Sequence, residues 1–454
     1  MTTERKPKVL IVGAGIGGLT LGAILERANV PYEIFEKASA LKPLGSAISL
    51  GPQVMPMLTQ LGIVDKILEK GAPIEKSFMF SEDKELLMEL DFTHGDAEKF
   101  GWPITIVSRP TLHNALLDLI PPERIHLNKR VLSHVETGIG IIIRTSDNMM
   151  HEGNILVGAD GTYSAVRQCL YEQLEKSGRL PSSDKKPLSY STICLVGQTR
   201  PSEPAMYEYS DSKACTYERI MYNNRPLLFT AFTTAEKTIC WMVLEFLDEE
   251  SIKKHDSFRS SEWGPEAAQA MCNEIKDLPA VRNLKIKDFI DATPKEVICK
   301  VMLEEKLFET WTDGRTVLLG DACHKLHPAG GLGAQTAMND AVVLANYINT
   351  LTCVELSNVE KVLKAYRDER IDIATTAAKS SSDMAITLKQ GWKGKLIRGF
   401  FNNMPGWLWF AIRAKAYVNR PQISFLPLID DKCKIPALHQ PSLEKTRPRD
   451  TATV

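Results

Sequence analysis

Residues 8–12 read KVLIV and run directly into GAGIGG, so Gly13, Gly15 and Gly18 form a GxGxxG pattern behind a short, β-branched apolar run. Few structures satisfy that order. The apolar run suits a strand buried on both faces. Gly13 permits a tight turn, Gly15 lets backbone approach a pyrophosphate, and Gly18 lets the following helix pack closely on the strand. The pattern predicts a helix over 17–28 and a second strand over 31–37, PYEIFEK, completing a β-α-β unit. An anion placed on the helix N-terminus meets free N–H groups and the positive end of the dipole. Glu36, about twenty residues on, ends the second strand where a ribose diol needs a carboxylate. This element implies a dinucleotide and does not distinguish FAD from NAD.

Two further apolar runs, 155–160 (ILVGAD) and 316–321 (TVLLGD), extend the parallel sheet, and a helix is predicted over 334–350. Residues 187–247 differ in character. They alternate, with turn signals at Asn223-Asn224 and over 233–238, as an inserted antiparallel sheet would. The expected class is α/β: a GR2-type Rossmann FAD-binding domain over 1–80, 106–186 and 301–390. Into it are inserted substrate-domain segments, 81–105 and 187–300, and a helical tail with a disordered end follows over 391–454. With 55 basic against 56 acidic residues and a net charge of −1, nothing favours a nucleic-acid partner. Nine cysteines without a CxxC pair argue against a disulfide framework or zinc site and for a reducing, cytoplasmic setting. The N-terminus carries no apolar signal-like run, and no stretch is long and apolar enough to span a bilayer.

Two more stretches carry chemistry. Residues 158–167, GADGTYSAVR, place Asp160 and Arg167 around a turn that opens a helix. They read either as a Ser/Asp-capped helix start or as a carboxylate and backbone turn beside a nucleotide. Residues 320–341, GDACHKLHPAGGLGAQTAMNDA, put Asp321 behind a buried strand, where an unpaired carboxylate is costly. A ribityl hydroxyl would be a partner. Pro328 then stiffens a loop in which Gly330, Gly331 and Gly333 expose backbone N–H groups, and a helix starts at Ala334. His324 and His327 flank the loop without other ligands around them, so hydrogen bonding is expected of them and no metal.

In this order the three motifs resemble the group A flavoprotein monooxygenases, and more narrowly the fungal FAD-dependent monooxygenases of meroterpenoid and indole-diterpene type, over roughly 8–390. The resemblance implies noncovalent FAD, with NADPH or NADH docking transiently since only one GxGxxG is present. It also implies O₂ activation through a flavin C4a-hydroperoxide, and hydroxylation or epoxidation of a small, largely apolar substrate. It assigns Glu36 to the adenosine ribose, Arg109 to FAD, Asp321 to the ribityl chain, and Ala334 to the helix start under the flavin. Gly45 and Ala47 fall beside the flavin, and Asp160 with Arg167 serves FAD and the nicotinamide cofactor together. Leu332 and Gln335 depart from the glutamine and asparagine frequent at those positions. An oxidase or dehydrogenase on the same fold, or a non-enzymatic carrier, are the competing classes.

Substrate contacts are expected in the inserted sheet. Tyr222 is a candidate hydrogen-bond donor, with a plain hairpin role favoured. Arg219 would share its face only if the strand bulged, and Trp241 and Met242 are expected to fill core. Residues 391–418 combine aromatics with Lys and Arg, broken at Pro405-Gly406. They either make peripheral membrane contact or pack on the FAD domain with basic side chains snorkelling outward, the balance favouring packing.

Overall fold

The computed structural model describes residues 6–41, 47–92, 96–201, 212–256 and 265–446. The candidate Gly45 and the chain end over 447–454 lie outside them.

The strand Val9–Val12 lies at the centre of a six-stranded sheet, ordered 312–313, 316–318, 155–158, 9–12, 32–35, 125–126. Its neighbours Tyr32–Phe35 and Ile155–Gly158 run parallel to it, and Thr316–Leu318 continues the parallel set. Val9, Leu10, Ile11, Leu156 and Val157 are fully buried, as near-continuous apolar runs require of a sheet covered on both faces. The strands at 155 and 316 stop at Gly158 and Leu318, shorter than their apolar runs. In each the chain turns immediately afterwards, so Asp160 and Asp321 sit on turns beyond the strand ends. The helices Ile16–Arg27 and Gly333–Asn349 pack together above this edge. A 32-residue helix, Leu356–Thr387, which the sequence reading left unassigned, buries Leu363, Tyr366 and Arg370 against them.

The inserted block supplies four adjacent strands of a second, ten-stranded sheet. Ser189–Gln198, Ile239–Phe246, Leu227–Thr233 and Cys215–Met221 pair antiparallel in that order. Cys215–Met221 then pairs parallel with Ala72–Ser81, which joins the sheet to Thr105–Ser108 and Ala47–Leu50. One face, including Ile220, Phe229 and Trp241, is covered by Pro265–Ile275 and Ile286–Asp291. The opposite face turns toward the nucleotide-binding half: Met221, Leu228 and Leu244 pack with Ala329, and Phe232 and Cys240 with Ala47. After the long helix come two short helices, Trp392–Asn402 and Gly406–Tyr417, separated at Pro405, and a last short helix, Pro441–Thr446, follows a largely irregular stretch.

Candidate functional site

Three loops converge at the carboxyl ends of the parallel strands. Gly13 has φ +105°, and a Cβ there would stand 2.5 Å from the Ala159 carbonyl oxygen, so the second motif rests directly on the first. A Cβ on Gly18 would meet the Gly13 carbonyl at 2.0 Å, whereas one on Gly15 would meet nothing within 4 Å. Space is therefore open above Gly15, and the helix starting there has no side-chain cap on its first amides. Glu36 holds the turn: one carboxylate oxygen accepts from Ala14 N and the other from Ala38 N, both at 2.9 Å. His113, which the sequence reading passed over, bonds through Nε2 to Ala14 O at 3.0 Å. Burial lowers its pKa, keeping it neutral, so Nε2–H donates to that carbonyl. The only sequence signal for His113 was its place on the face of the Arg109–Leu117 helix turned toward the first motif.

Arg109 is the exposed first residue of that helix, whose N-cap Ser108 accepts from Thr111 N at 3.3 Å. Strand register pairs Ala47 with Ser108, which brings Ala47 and Arg109 to the same rim.

In the second motif Asp160 Oδ2 accepts from Ala165 N at 2.7 Å and Val166 N at 3.3 Å, while its other oxygen is buried without a partner. Burial pushes this carboxyl up. Ser164 caps the same helix by accepting from Arg167 N. Helix capping and a carboxylate facing a nucleotide are thus compatible at Asp160. Arg167 is turned inward: it donates to Ala322 O at 2.8 Å and Thr162 O at 2.7 Å and lies 4.2 Å from the Phe308 ring centroid. It ties the second motif to the third.

Asp321 sits on the turn Gly320–Ala322, a third exposed, and accepts from Lys325 Nζ at 2.6 Å. The sequence reading expected a buried carboxylate needing an external partner; the turn lifts it off the strand, and Lys325 supplies a charge partner inside the chain. Its Oδ1 lies 4.0 Å from where a Gly333 Cβ would stand, facing the first turn of the Gly333–Asn349 helix, which carries no side-chain cap. Ala334 is the half-buried next residue. The loop before it makes a 3₁₀ turn, Pro328–Gly330, and Gly331 adopts φ +63°. Gln335 fastens it, donating to Gly331 O at 3.2 Å and accepting from Gly51 N at 2.8 Å; Ser49 also donates to Gly331 O, at 3.0 Å. His327 Nδ1 accepts from Ala329 N at 3.2 Å.

Beneath the loop lies a fully buried network that the sequence did not disclose. Asp340 pairs with His324 Nε2 at 2.5 Å and Arg370 Nε at 2.7 Å, and accepts from Gly320 N at 3.2 Å. Burial raises this carboxyl, but His324 and Arg370 outweigh burial and hold it below the usual carboxylate range. Cys323, His324 and Asp340 are close enough to share a cation. Asp340 is already neutralised, however, and burial pushes the Cys323 thiol well up, so the group is an ion-pair network.

The sheet separates the two substrate-contact candidates. Cys215–Met221 pairs with Leu227–Thr233 without a bulge from Tyr217 to Met221, so Arg219 and Tyr222 point to opposite faces. Tyr222 is buried in the helix-covered core, its hydroxyl donating to Pro279 O at 2.6 Å. Trp241 fills the same core, donating to Thr293 Oγ1. Met242, expected in the core, instead sits half-buried on the other face. Arg219 lies on that face too, donating to Ser77 Oγ and stacked 5.0 Å from the Tyr217 ring. Burial lowers its pKa, and no described carboxylate pairs with it. Around it are Met79, Met221, Leu228, Met242 and Leu244.

Open space above Gly15, the unpartnered Asp160 oxygen and two uncapped helix N-termini fit an FAD laid across the three motifs. A family profile described as FAD binding domain matches residues 6–212 and 249–381. The FAD-dependent monooxygenase paxM of Penicillium paxilli is 27% identical over 92% of this chain and 87% of its own. The FAD-dependent monooxygenase dpfgE of Gibberella zeae is 30% identical, covering 77% and 73%. Among solved structures, Klebsiella pneumoniae HpxO with FAD and uric acid superposes at TM-score 0.74 and 19% identity, over 93% of this chain and 100% of that one. CtdE with FAD and its substrate superposes at 0.69 and 17%, over 89% and 95%.

Proposed function

The chain belongs to the FAD binding domain family and is an FAD-dependent monooxygenase, and from that premise we propose that it uses NADPH or NADH and O₂ to place one oxygen atom on a small, largely apolar substrate. An aromatic or isoprenoid compound of fungal secondary metabolism is the class in view, through hydroxylation or epoxidation. When bound, the flavin supplies reduction by the nicotinamide and activation of O₂; the protein supplies binding, orientation and exclusion of water.

The observation that carries the reading is the sheet face opposite the glycine loop, where Arg219, beside the hydroxyls of Ser77 and Thr230, stands on the same face as Met79, Met221, Leu228, Met242 and Leu244. Its methionine and leucine side chains suit a greasy substrate skeleton. Arg219 is the substrate-contacting residue in this reading. No carboxylate among the described residues pairs with its guanidinium, which in this reading holds an oxygen that carries negative charge during the reaction. Tyr222 is left out because its hydroxyl is engaged on the far face.

For the cofactor we assign Glu36 to the adenosine ribose, Asp321 to the ribityl chain, and Arg109 and Ala47 to the rim beside the flavin. Ala334, with Pro328, Gly331 and Gly333, forms the seat at the uncapped helix. Asp160 contributes its unpartnered oxygen, and Arg167 acts by fixing the second motif to the third. Residues 391–418 give peripheral contact with a membrane. A screen of candidate substrates for stimulated NAD(P)H oxidation, with products weighed for a gain of one oxygen, tests the whole. Stimulated oxidation that yields only hydrogen peroxide or a dehydrogenated product, across every class, would overturn it.

A further inference from the structure

The two C-terminal helices present opposite characters on their two sides. Inward, Phe410 stacks on Phe100 at 5.0 Å, Trp409 meets Phe92 at 5.9 Å, and Phe401 joins the apolar cluster that contains Ala329 of the glycine loop. Two arginines that the sequence suggested would reach outward are internal. Arg398 donates to the Thr387 and Lys389 carbonyls, closing the end of the long helix, and Arg413 lies over the Phe92, Phe100 and Trp409 rings. Outward, Trp392, Leu396 and Phe400 recur every fourth residue and are 69%, 64% and 52% exposed; Trp407 on the next helix is 71% exposed. Large apolar side chains on a continuous exposed stripe are uncommon on a surface that meets only water.

Charge identifies what meets this stripe. No Asp or Glu occurs between Asp383 and Asp430, while Lys393, Lys395 and Lys415 lie exposed among the apolar side chains. Glu89, on the adjoining strand Leu86–Asp91, which pairs with Ala72–Ser81, is already paired with Lys76. Exposed aromatics interspersed with lysines, on two helices that themselves carry no carboxylate, match the interface of a bilayer with anionic headgroups. Both helices are too short to span it, and no helix among the described residues is long and apolar enough to do so.

We propose that Trp392, Leu396, Phe400 and Trp407, with Lys393, Lys395 and Lys415, seat the enzyme flat on an anionic lipid surface. This sharpens the membrane contact given above to one face and one lipid charge. It also gives that face a purpose under the apolar-substrate reading on which this part rests: a single helix, Trp392–Asn402, separates lipid from the apolar cluster over the glycine loop, so a membrane-dissolved substrate has a short way in.

Flotation of the full-length, flavin-loaded protein with phosphatidylserine-containing vesicles, and with phosphatidylcholine alone, tests docking without any need for turnover. A failed substrate reading therefore leaves this result standing, and the reverse. The protein is expected to float with the anionic vesicles and stay behind with the neutral ones. Joint Trp392→Ala, Leu396→Ala, Phe400→Ala and Trp407→Ala should lower partitioning on the order of tenfold or more. Each Lys→Ala should lower it by about fivefold. Flavin content and thermal unfolding check that the joint variant folds; if it does not, Trp392→Ala and Trp407→Ala singly serve instead. Protein that stays in the soluble fraction with anionic vesicles overturns the proposal. So does equal binding to both vesicle types, and so does light scattering that reveals a dimer broken by these substitutions without vesicle binding.

Discussion

Arg370 and Arg219 are both cations set in apolar surroundings, and the chain treats them differently. Arg370 meets the Asp340 carboxylate at 2.7 Å, with His324 on the other oxygen. Arg219, on the sheet, meets a hydroxyl and an aromatic ring. A buried cation with its counter-charge belongs to the architecture: remove it, and an uncompensated carboxylate remains. A cation without one costs stability where it stands and is useful when something else brings negative charge. The difference separates a network that holds the glycine loop still from the sheet face to which the proposed function assigns the substrate.

The largest test of that contrast is thermodynamic. Arg370→Met should cost about 3–5 kcal/mol in denaturant unfolding, because Asp340 loses one of the two side-chain partners, His324 and Arg370, that hold its charge in the interior. Arg219→Met should leave stability within about 1 kcal/mol of the parent or raise it. Equal losses would break the comparison.

Acid separates the interior groups further. His134, on the strand Val131–Glu136 of a separate three-stranded antiparallel sheet, is held neutral by burial, which pulls its pKa from 6.5 to about 4. The unfolded chain takes up that proton first, so stability should fall as pH drops from 6.5 toward 4, by on the order of 3 kcal/mol. Asp340 behaves as a depressed carboxylate. Its contribution is complete above the ordinary carboxylate range of about 4 and is lost as pH falls below that. His134→Gln should flatten the upper part of the unfolding-versus-pH curve and leave the lower part intact. A curve unchanged by that substitution would remove His134 from the account.

On the sheet, Arg219→Met should cut product formation on the order of a hundredfold with flavin content unchanged, as loss of a charged hydrogen bond in a dry site does. Full turnover in the variant would leave the apolar face without its chemistry. Asp321→Ala should weaken flavin binding on the order of tenfold, read by fluorescence titration. The smallest effect expected is Tyr222→Phe, about 1 kcal/mol of stability for the bond to Pro279 O, with turnover untouched.

Local rules made part of this legible in the chain. GxGxxG between an apolar run and a helix dictates its own geometry, since a Cβ at Gly13 or Gly18 would collide with backbone. Glu36 and Asp321 could be picked out because each stands a set distance past a buried strand. The break at Pro405 was equally plain, since proline cannot stand beyond the first turn of a helix without breaking it. What lay beyond reach involved partners distant in sequence. Arg370 reaches Asp340 thirty residues away, across a helix pair whose packing no local pattern records. Lys325 is only four residues from Asp321, but the pairing depends on the turn that lifts Asp321 off its strand, which the apolar run did not signal.

The sequence alone determined the β-α-β nucleotide unit, the order of the three motifs and the apolar, basic character of the tail, because backbone sterics and hydrophobic periodicity act over a few residues. Only the tertiary structure decided which sheet face Arg219 occupies, that Tyr222 and Trp241 belong to the opposite core, and which tail side chains look outward. A strand alternates its side chains strictly, so a single bulge would exchange the two faces. Whether one forms depends on partner strands, here Ala72–Ser81 and Leu227–Thr233, and the first of these lies more than a hundred residues away in the chain.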